Sequence, residues 1–159
     1  MSHPSHPIEV SVEVQAEPRD VWQVVSDLRR MGEWSPQCRR MFVLGDVRRG
    51  ARAVNVNRQG LLVWPTTARV VRYEPQRAIA FRIPLNGTVW TYELEPTVTG
   101  TRVTERREAP HGITRLSHLL TDRFPGGTDR FEVDLERGMR RTLERVKAEV
   151  EASALPHAA

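Results

Sequence analysis

The sequence predicts an α+β fold, a curved antiparallel sheet wrapped around one long C-terminal helix, with two short helices after the first strand. Three observations predict it. The chain opens on a segment of strict apolar–polar alternation. Its middle is a series of short strand-like runs separated by tight turn residues. Its last part is a single amphipathic stripe at helical spacing.

Ile8, Val10, Val12 and Val14 alternate with Glu9, Ser11, Glu13 and Gln15, the period of a strand with one buried face. Pro18 suits a first helical position, and Asp20 in the first turn complements the helix dipole. Val21, Trp22, Val25 and Leu28 then recur at helical spacing, and Gly32 is expected to split this stretch into two short helices before Pro36. Strands are expected at 41–44, 51–58, 61–73, 78–83, 89–94 and 101–107, with turn chemistry at Gly45-Asp46, Arg49-Gly50, Gln59-Gly60, Glu74-Pro75, Asn86-Gly87 and Thr99-Gly100. Residues 109–127, punctuated by Pro and Gly, read as a loop carrying one short amphipathic turn, and 110–127 as a mobile lid. Asp129 and Glu132 resemble a capping box, with Asp129 as N-cap. Phe131, Leu135, Met139, Leu143, Val146 and Val150 then form one apolar stripe over about 129–151. This helix is the only predicted element long enough to cover the sheet. A pocket is expected where the two diverge.

Length and composition bound the function. The chain's 159 residues fit one domain, expected over 8–152 with flexible tails at 1–7 and 153–159. Apolar residues at 39% and charged residues at 28% suit a soluble globular protein, and no apolar run approaches the length of a membrane helix, so no membrane insertion is expected. The first residues show neither a basic nor an apolar signal region. The lone Cys38 excludes an internal disulfide and a multi-cysteine metal site, and together these suggest a cytoplasmic protein. The net charge is +4, and 23 of the 24 basic residues are Arg, scattered among acids rather than gathered in a stripe. No nucleic-acid partner is expected from that pattern. His3 and His6 lie in the Pro/Ser-rich start without an acidic partner. No metal-ligand spacing, phosphate-cradling loop or Ser/His/Asp set is present, so neither a metal nor a cofactor is expected.

Four segments carry a resemblance: Glu17-Pro18-Arg19-Asp20-Val21-Trp22; Gly32-Glu33-Trp34-Ser35-Pro36; Trp90 to Pro96 running into Gly100 to Glu105; and Leu135 to Met139 with Thr142-Leu143. On these the chain resembles the START/Bet v 1-like helix-grip superfamily (SRPBCC), and within it the bacterial polyketide cyclase/dehydrase and lipid-transport branch, over about residues 8–152. The resemblance implies a helix-grip fold with a cavity between sheet and helix. It does not choose between lipid carriers, ligand sensors and aromatase/cyclases.

The candidate site residues follow. Trp34, Trp64, Phe81, Trp90 and Tyr92 either line a pocket for a flat or apolar ligand or are plain core. Met139 lies on the helix stripe facing the sheet. Thr67 and Arg69 share one strand face, at the spacing of a hydroxyl–Arg pair that the resemblance places in the pocket of aromatase/cyclases. Pro65 beside them suggests a bulge or an edge position that would change the face. Asn55 and Asn57 either point inward beside Ala51 and Ala53 or leave that face to Val54 and Val56, and periodicity leans to the Val pair. His111, in the loop at the expected pocket mouth, is a candidate acid/base. Glu105 and Glu108 are paired carboxylates near a strand end, and Cys38 lacks a recognisable catalytic partner.

Three functions are consistent with this reading: binding of a small hydrophobic or amphipathic molecule such as a polyketide, lipid or aromatic metabolite; an aromatase/cyclase or dehydratase acting on a poly-β-keto chain through Arg69 and Thr67; and a structural or partner-binding module without ligand. The chain is expected to be a monomer or a homodimer.

Overall fold

The computed structural model describes residues 6–112 and 127–154. The expected lid over 110–127 therefore lies almost wholly outside the described residues, and the expected tails largely so. The elements are β1 (Ile8–Val14), α1 (Pro18–Val25), a 3-10 turn at Leu28–Arg30, α2 (Met31–Trp34), β2 (Cys38–Leu44), β3 (Arg52–Gln59), β4 (Leu62–Glu74), β5 (Ala78–Ile83), β6 (Thr88–Pro96), β7 (Thr101–Glu108) and the long helix α3 (Gly127–Ala154).

The strands form one seven-stranded antiparallel sheet in the order β1-β7-β6-β5-β4-β3-β2. Each consecutive pair from β2 to β7 is a hairpin, and β1 returns to pair with β7. Register shifts occur in β2 between Cys38 and Arg40 and in β4 between Val70 and Arg72. Such extra residues raise the local twist and help curl a sheet around a helix. Helix α3 packs on the inner face through Leu135, Met139, Leu143, Val146 and Val150, all buried. Opposite it, Val10, Val14, Val70, Ile79, Phe81, Tyr92, Leu94 and Val103 complete the core.

Two helix expectations are corrected. The break after α1 falls at Ser26 and Asp27, whereas Gly32 lies inside α2. Gly32 is there for space, because a Cβ would lie 2.0 Å from the Arg39 carbonyl oxygen. Helix α3 begins at Gly127, so Asp129 sits in its first turn and complements the dipole rather than acting as N-cap.

Strand β4 also settles the face of its polar residues. Pro65 pairs with Val56 in an unbroken β3–β4 register. The pairing of β4 with β5 starts only at Arg69, so Pro65 occupies a stretch with no β5 neighbour, where a missing N–H costs nothing. Alternation then points Thr66, Ala68 and Val70 inward and leaves Thr67 and Arg69 exposed on the outer face. Arg69 pairs with Arg52 on one side and Arg82 on the other, and all three are exposed. Among the described residues, no helix is long and apolar enough to cross a membrane.

Candidate functional site

Between α3 and the inner face of the sheet lies a cavity of about 340 Å³, reached between α3 and the β3–β4 turn. Behind it is a chamber of about 60 Å³. The two share Ser35, Gln37, Trp90 and Glu105 in their walls, so the chamber adjoins the inner end of the outer cavity. A small residue helps form the mouth: Gly138 on α3 lies so close to Pro36 that a Cβ would be 3.4 Å from its Cγ.

The buried polar atoms distinguish this region. Among the described residues, the buried side-chain atoms without a hydrogen-bond partner are the Asn55 Oδ1, Gln59 Oε1, Trp90 Nε1, Thr97 Oγ1 and Glu105 Oε2. All but Thr97 line the two cavities. A buried polar atom left unpaired costs about 1–3 kcal/mol, so the gathering of four such residues around the two adjoining cavities sets this region apart among the described residues. A separate groove of about 550 Å³ between α2 and β2 has none of these atoms in its walls.

Glu105 is the centre of the arrangement. Period-two alternation along β7 carries Thr101, Val103, Glu105 and Arg107 to the inner face. Glu105 is only 2% exposed, and burial pushes its carboxyl up to about 8, opposed by the hydrogen bond from Tyr92. The Tyr92 hydroxyl lies 2.9 Å from Glu105 Oε1. Burial first, and then Glu105, hold the Tyr92 phenol well above its ordinary value, so it remains the donor in this bond. Near neutral pH the carboxyl is therefore protonated. With Oε1 accepting from Tyr92, its proton is carried on Oε2, which has no hydrogen-bond partner among the described residues. Trp90, whose indole N–H also lacks a partner, lines both cavities, and Asn55, whose amide oxygen is unpaired, lines the chamber. Asn57 Nδ2 donates to the Thr66 hydroxyl oxygen at 3.0 Å, which fixes the inner wall beside Asn55. The Arg107 guanidinium lies 6.0 Å from the Trp90 ring centre and orients the ring by a cation–π contact. Its own pKa is lowered by burial and supported by Glu132.

The site residues expected from the sequence divide accordingly. Phe81, Trp90, Tyr92 and Asn55 come together around the chamber, and Met139 lines the outer cavity. Asn55 is inward and Val54 exposed, against the periodicity, because Ala51 and Ala53 are the small residues the tight inner face accepts. Trp34 is buried but lines neither cavity. Its Nε1 donates to Glu149 Oε2 at 2.9 Å, and Arg145 Nη1 donates to its carbonyl oxygen at 3.1 Å, so it pins α2 to α3. Trp64 lies on the inner side of β4 outside both cavity walls, and its carbonyl oxygen accepts from Asn57 Nδ2. His111 is exposed and lines neither cavity. Thr67 and Arg69 are the clear correction: their outward face removes them as anchors for a ligand in this cavity. Cys38 lines the chamber, but burial pushes its thiol up to about 11, so it is not a thiolate nucleophile at neutral pH. Among the described residues, no group of three or more His, Cys, Asp or Glu side chains converges as metal ligands do.

Sequence reasoning missed the centrality of Glu105 and the contribution of Gln59. The signal for Glu105 was present: extending the inward phase of Val103 by two residues reaches it.

Comparison with known proteins agrees with this architecture. The family model described as polyketide cyclase / dehydrase and lipid transport matches residues 5–151. The di-domain ARO/CYC StfQ from the steffimycin biosynthetic pathway superposes with a TM-score of 0.75 at 17% identity, over 93% of this chain and 51% of StfQ. The di-domain ARO/CYC BexL from the BE-7585A biosynthetic pathway gives 0.71 at 16% identity, over 92% of this chain and 50% of BexL. This chain thus spans about half of each di-domain protein. The Polyketide_cyc-like protein Cgl2372 from Corynebacterium glutamicum is 26% identical, with a TM-score of 0.60 over 96% of this chain and 97% of that one. No curated protein matches the chain.

Proposed function

The chain belongs to the polyketide cyclase / dehydrase and lipid transport family, and from that premise we propose that it binds a small apolar or amphipathic molecule carrying a carbonyl or hydroxyl oxygen. The apolar body lies in the outer cavity against Met139, Leu135 and Trp90, and the oxygen enters the inner chamber. The observation that carries the reading is that Glu105, Trp90, Asn55 and Gln59, each with a buried polar atom lacking a partner, all line the two adjoining cavities. A closed structural core would have no use for them. A protonated Glu105 favours a neutral oxygen over a carboxylate at the inner end.

The test is a matched ligand pair: an aryl ketone and the hydrocarbon of the same shape, titrated by calorimetry near pH 7. The ketone is expected to bind more tightly, and Glu105→Leu with Trp90→Phe to reduce its advantage by about 1–3 kcal/mol. Equal affinity for ketone and hydrocarbon in the wild-type protein would refute the reading.

One observation favours a catalytic reading beside it. A neutral acid titrating at about 8 and hydrogen-bonded to Tyr92 is suited to give a proton to a carbonyl oxygen as charge develops there. In an aldol-type closure, Oε2–H would protonate the accepting carbonyl oxygen as the carbon–carbon bond forms. The enol proton released by the attacking carbon's carbonyl then restores Glu105. A poly-β-keto substrate should then yield a product distribution different from that in buffer. Glu105→Gln should retain binding and lose the difference. An unchanged distribution with the wild-type protein leaves binding alone.

A further inference from the structure

The outer cavity is asymmetric in charge. Its inner end is neutral at pH 7 because Glu105 holds its proton. Its outer wall carries Arg58 from the end of β3 and Arg137 and Arg141 from α3. Residues 137 and 141 are four apart, hence on one face of the helix, and Gly138 between them leaves that face low. Arg58 uses its Nε to reach the Gly60 carbonyl oxygen at 2.8 Å, which fixes the arm and leaves the two terminal nitrogens of its guanidinium without a partner among the described residues. Arg137 has only a loose contact with Asp134, 3.8 Å between Nη1 and Oδ1. The Arg141 side chain makes no ion pair or hydrogen bond to another described residue. Asp134 is the one acid besides the inner Glu105 in the same wall, so basic side chains outnumber acidic ones at the mouth among the described residues. Some arginines elsewhere on the surface are closely paired, Arg106 with Glu9 at 2.7 Å, Arg102 with Glu13 at 2.8 Å and Arg30 with Glu33 at 2.6 Å, while Arg52, Arg69 and Arg82 on the outer face of the sheet form no ion pair among the described residues.

We propose that the ligand is an amphipathic acid, with a neutral carbonyl or hydroxyl oxygen at the inner end beside Glu105 and an oxyanion at the mouth held by Arg58, Arg137 and Arg141. Its apolar body spans the cavity between them. A guanidinium fork accepts a carboxylate or phosphate in two parallel hydrogen bonds, and apolar walls concentrate the field of the three cations at the opening. Charge also favours one orientation. The anionic end is better placed at the mouth than in the chamber, because burial would strip its hydration while the guanidinium groups lie at the opening. This inference rests on the reading of the inner chamber as the seat of the ligand's oxygen, and its experiment separates the two.

The probes are aryl ketones carrying a carboxylate on alkyl chains of increasing length, each paired with its methyl ester, titrated against the full chain at low salt. At one chain length the acid should bind about tenfold more tightly than its ester, and the gain should shrink as salt screens the mouth. In the Arg58→Gln/Arg141→Gln protein the acid should fall toward the ester. Arg52→Gln, which removes one positive charge from the outer face of β3, should leave the acid's advantage in place and so separate a local effect from net charge. Esters that bind while no acid of any length gains over its ester would overturn this inference and leave the proposed function standing. Failure of both acids and esters to bind would overturn both. An advantage lost equally in Arg52→Gln would assign it to overall charge and refute the mouth.

Discussion

Glu105 shows how one side chain in this protein couples burial to chemistry. Its carboxyl titrates near 8 in the native chain, against an ordinary value of 4.5, and burial is the main cause. Below about pH 4.5 both folded and unfolded chains hold the proton, and Glu105 adds no pH dependence. As the pH rises from 4.5 to about 8, the unfolded chain gives up a proton that the native chain keeps, so stability falls through that window. Above it the slope from this group vanishes. Glu33, Glu74 and Glu151 have carboxyls lowered by their basic partners and contribute in the opposite direction at lower pH, so a comparison of variants isolates Glu105. Urea midpoints measured from pH 5 to 9 should fall in the wild-type protein relative to Glu105→Gln, by a difference on the order of a few kcal/mol across the range. Parallel curves would mean that Glu105 ionises normally. The sequence shows Glu105 only as one acid among many. Its role emerges when β7 is phased from Val103 and Tyr92 is placed opposite it, since the two are register partners on adjacent strands. The same logic left the face of Arg69 open, because two residues of one parity share a face but the parity itself is set by which neighbours are buried, here Ala68 and Val70.

The elements were legible where periodicity and punctuation agree. All seven strands and the long helix follow from alternation, turn residues and the apolar stripe, with ends displaced by a few residues. Strand β2 begins at Cys38, three residues before the apolar run at Met41, because pairing with β3 extends a strand beyond its hydrophobic part. Gly32 illustrates what local signals do not show: its role is a close approach of α2 to the backbone at Arg39. Gly32→Ala should therefore be destabilising even though alanine favours helices, and a melting temperature equal to wild type would contradict the contact. In α3, Leu143 is fully buried on the sheet side, and Leu143→Ala should cost about 2–5 kcal/mol. A loss below about half a kcal/mol in denaturant melts would place the stripe elsewhere. Trp34 holds the α2 end of this interface through Glu149, which also receives Arg30 at 2.7 Å. Trp34→Phe keeps the ring's bulk and loses one hydrogen bond to a charged group, so a smaller cost of about 1.5–3 kcal/mol is expected.

The whole molecule is a sheet curved around a helix with an incompletely filled space at one end. The fold could be read from the sequence as a whole, while of the expected site residues Phe81, Trp90, Tyr92, Asn55 and Met139 line the cavities and Thr67, Arg69 and His111 do not. The aromatic residues were visible as candidates, yet Trp34 serves packing and Trp90 the cavity, a division that depends on where α2 and α3 meet. A ligand that binds only the native chain must stabilise it. At a hundred times its dissociation constant the gain is about 2.7 kcal/mol, which for a chain of this size raises the melting temperature by roughly 5–10 °C. The most direct test of the account is the titration of the Glu105 carboxyl carbon by NMR, with and without a bound aryl ketone. The account predicts a midpoint near 8 in the free protein, moved higher when the ketone accepts the hydrogen bond of the neutral acid. A midpoint in the ordinary carboxylate range, or one that a bound ketone leaves unmoved, would contradict it.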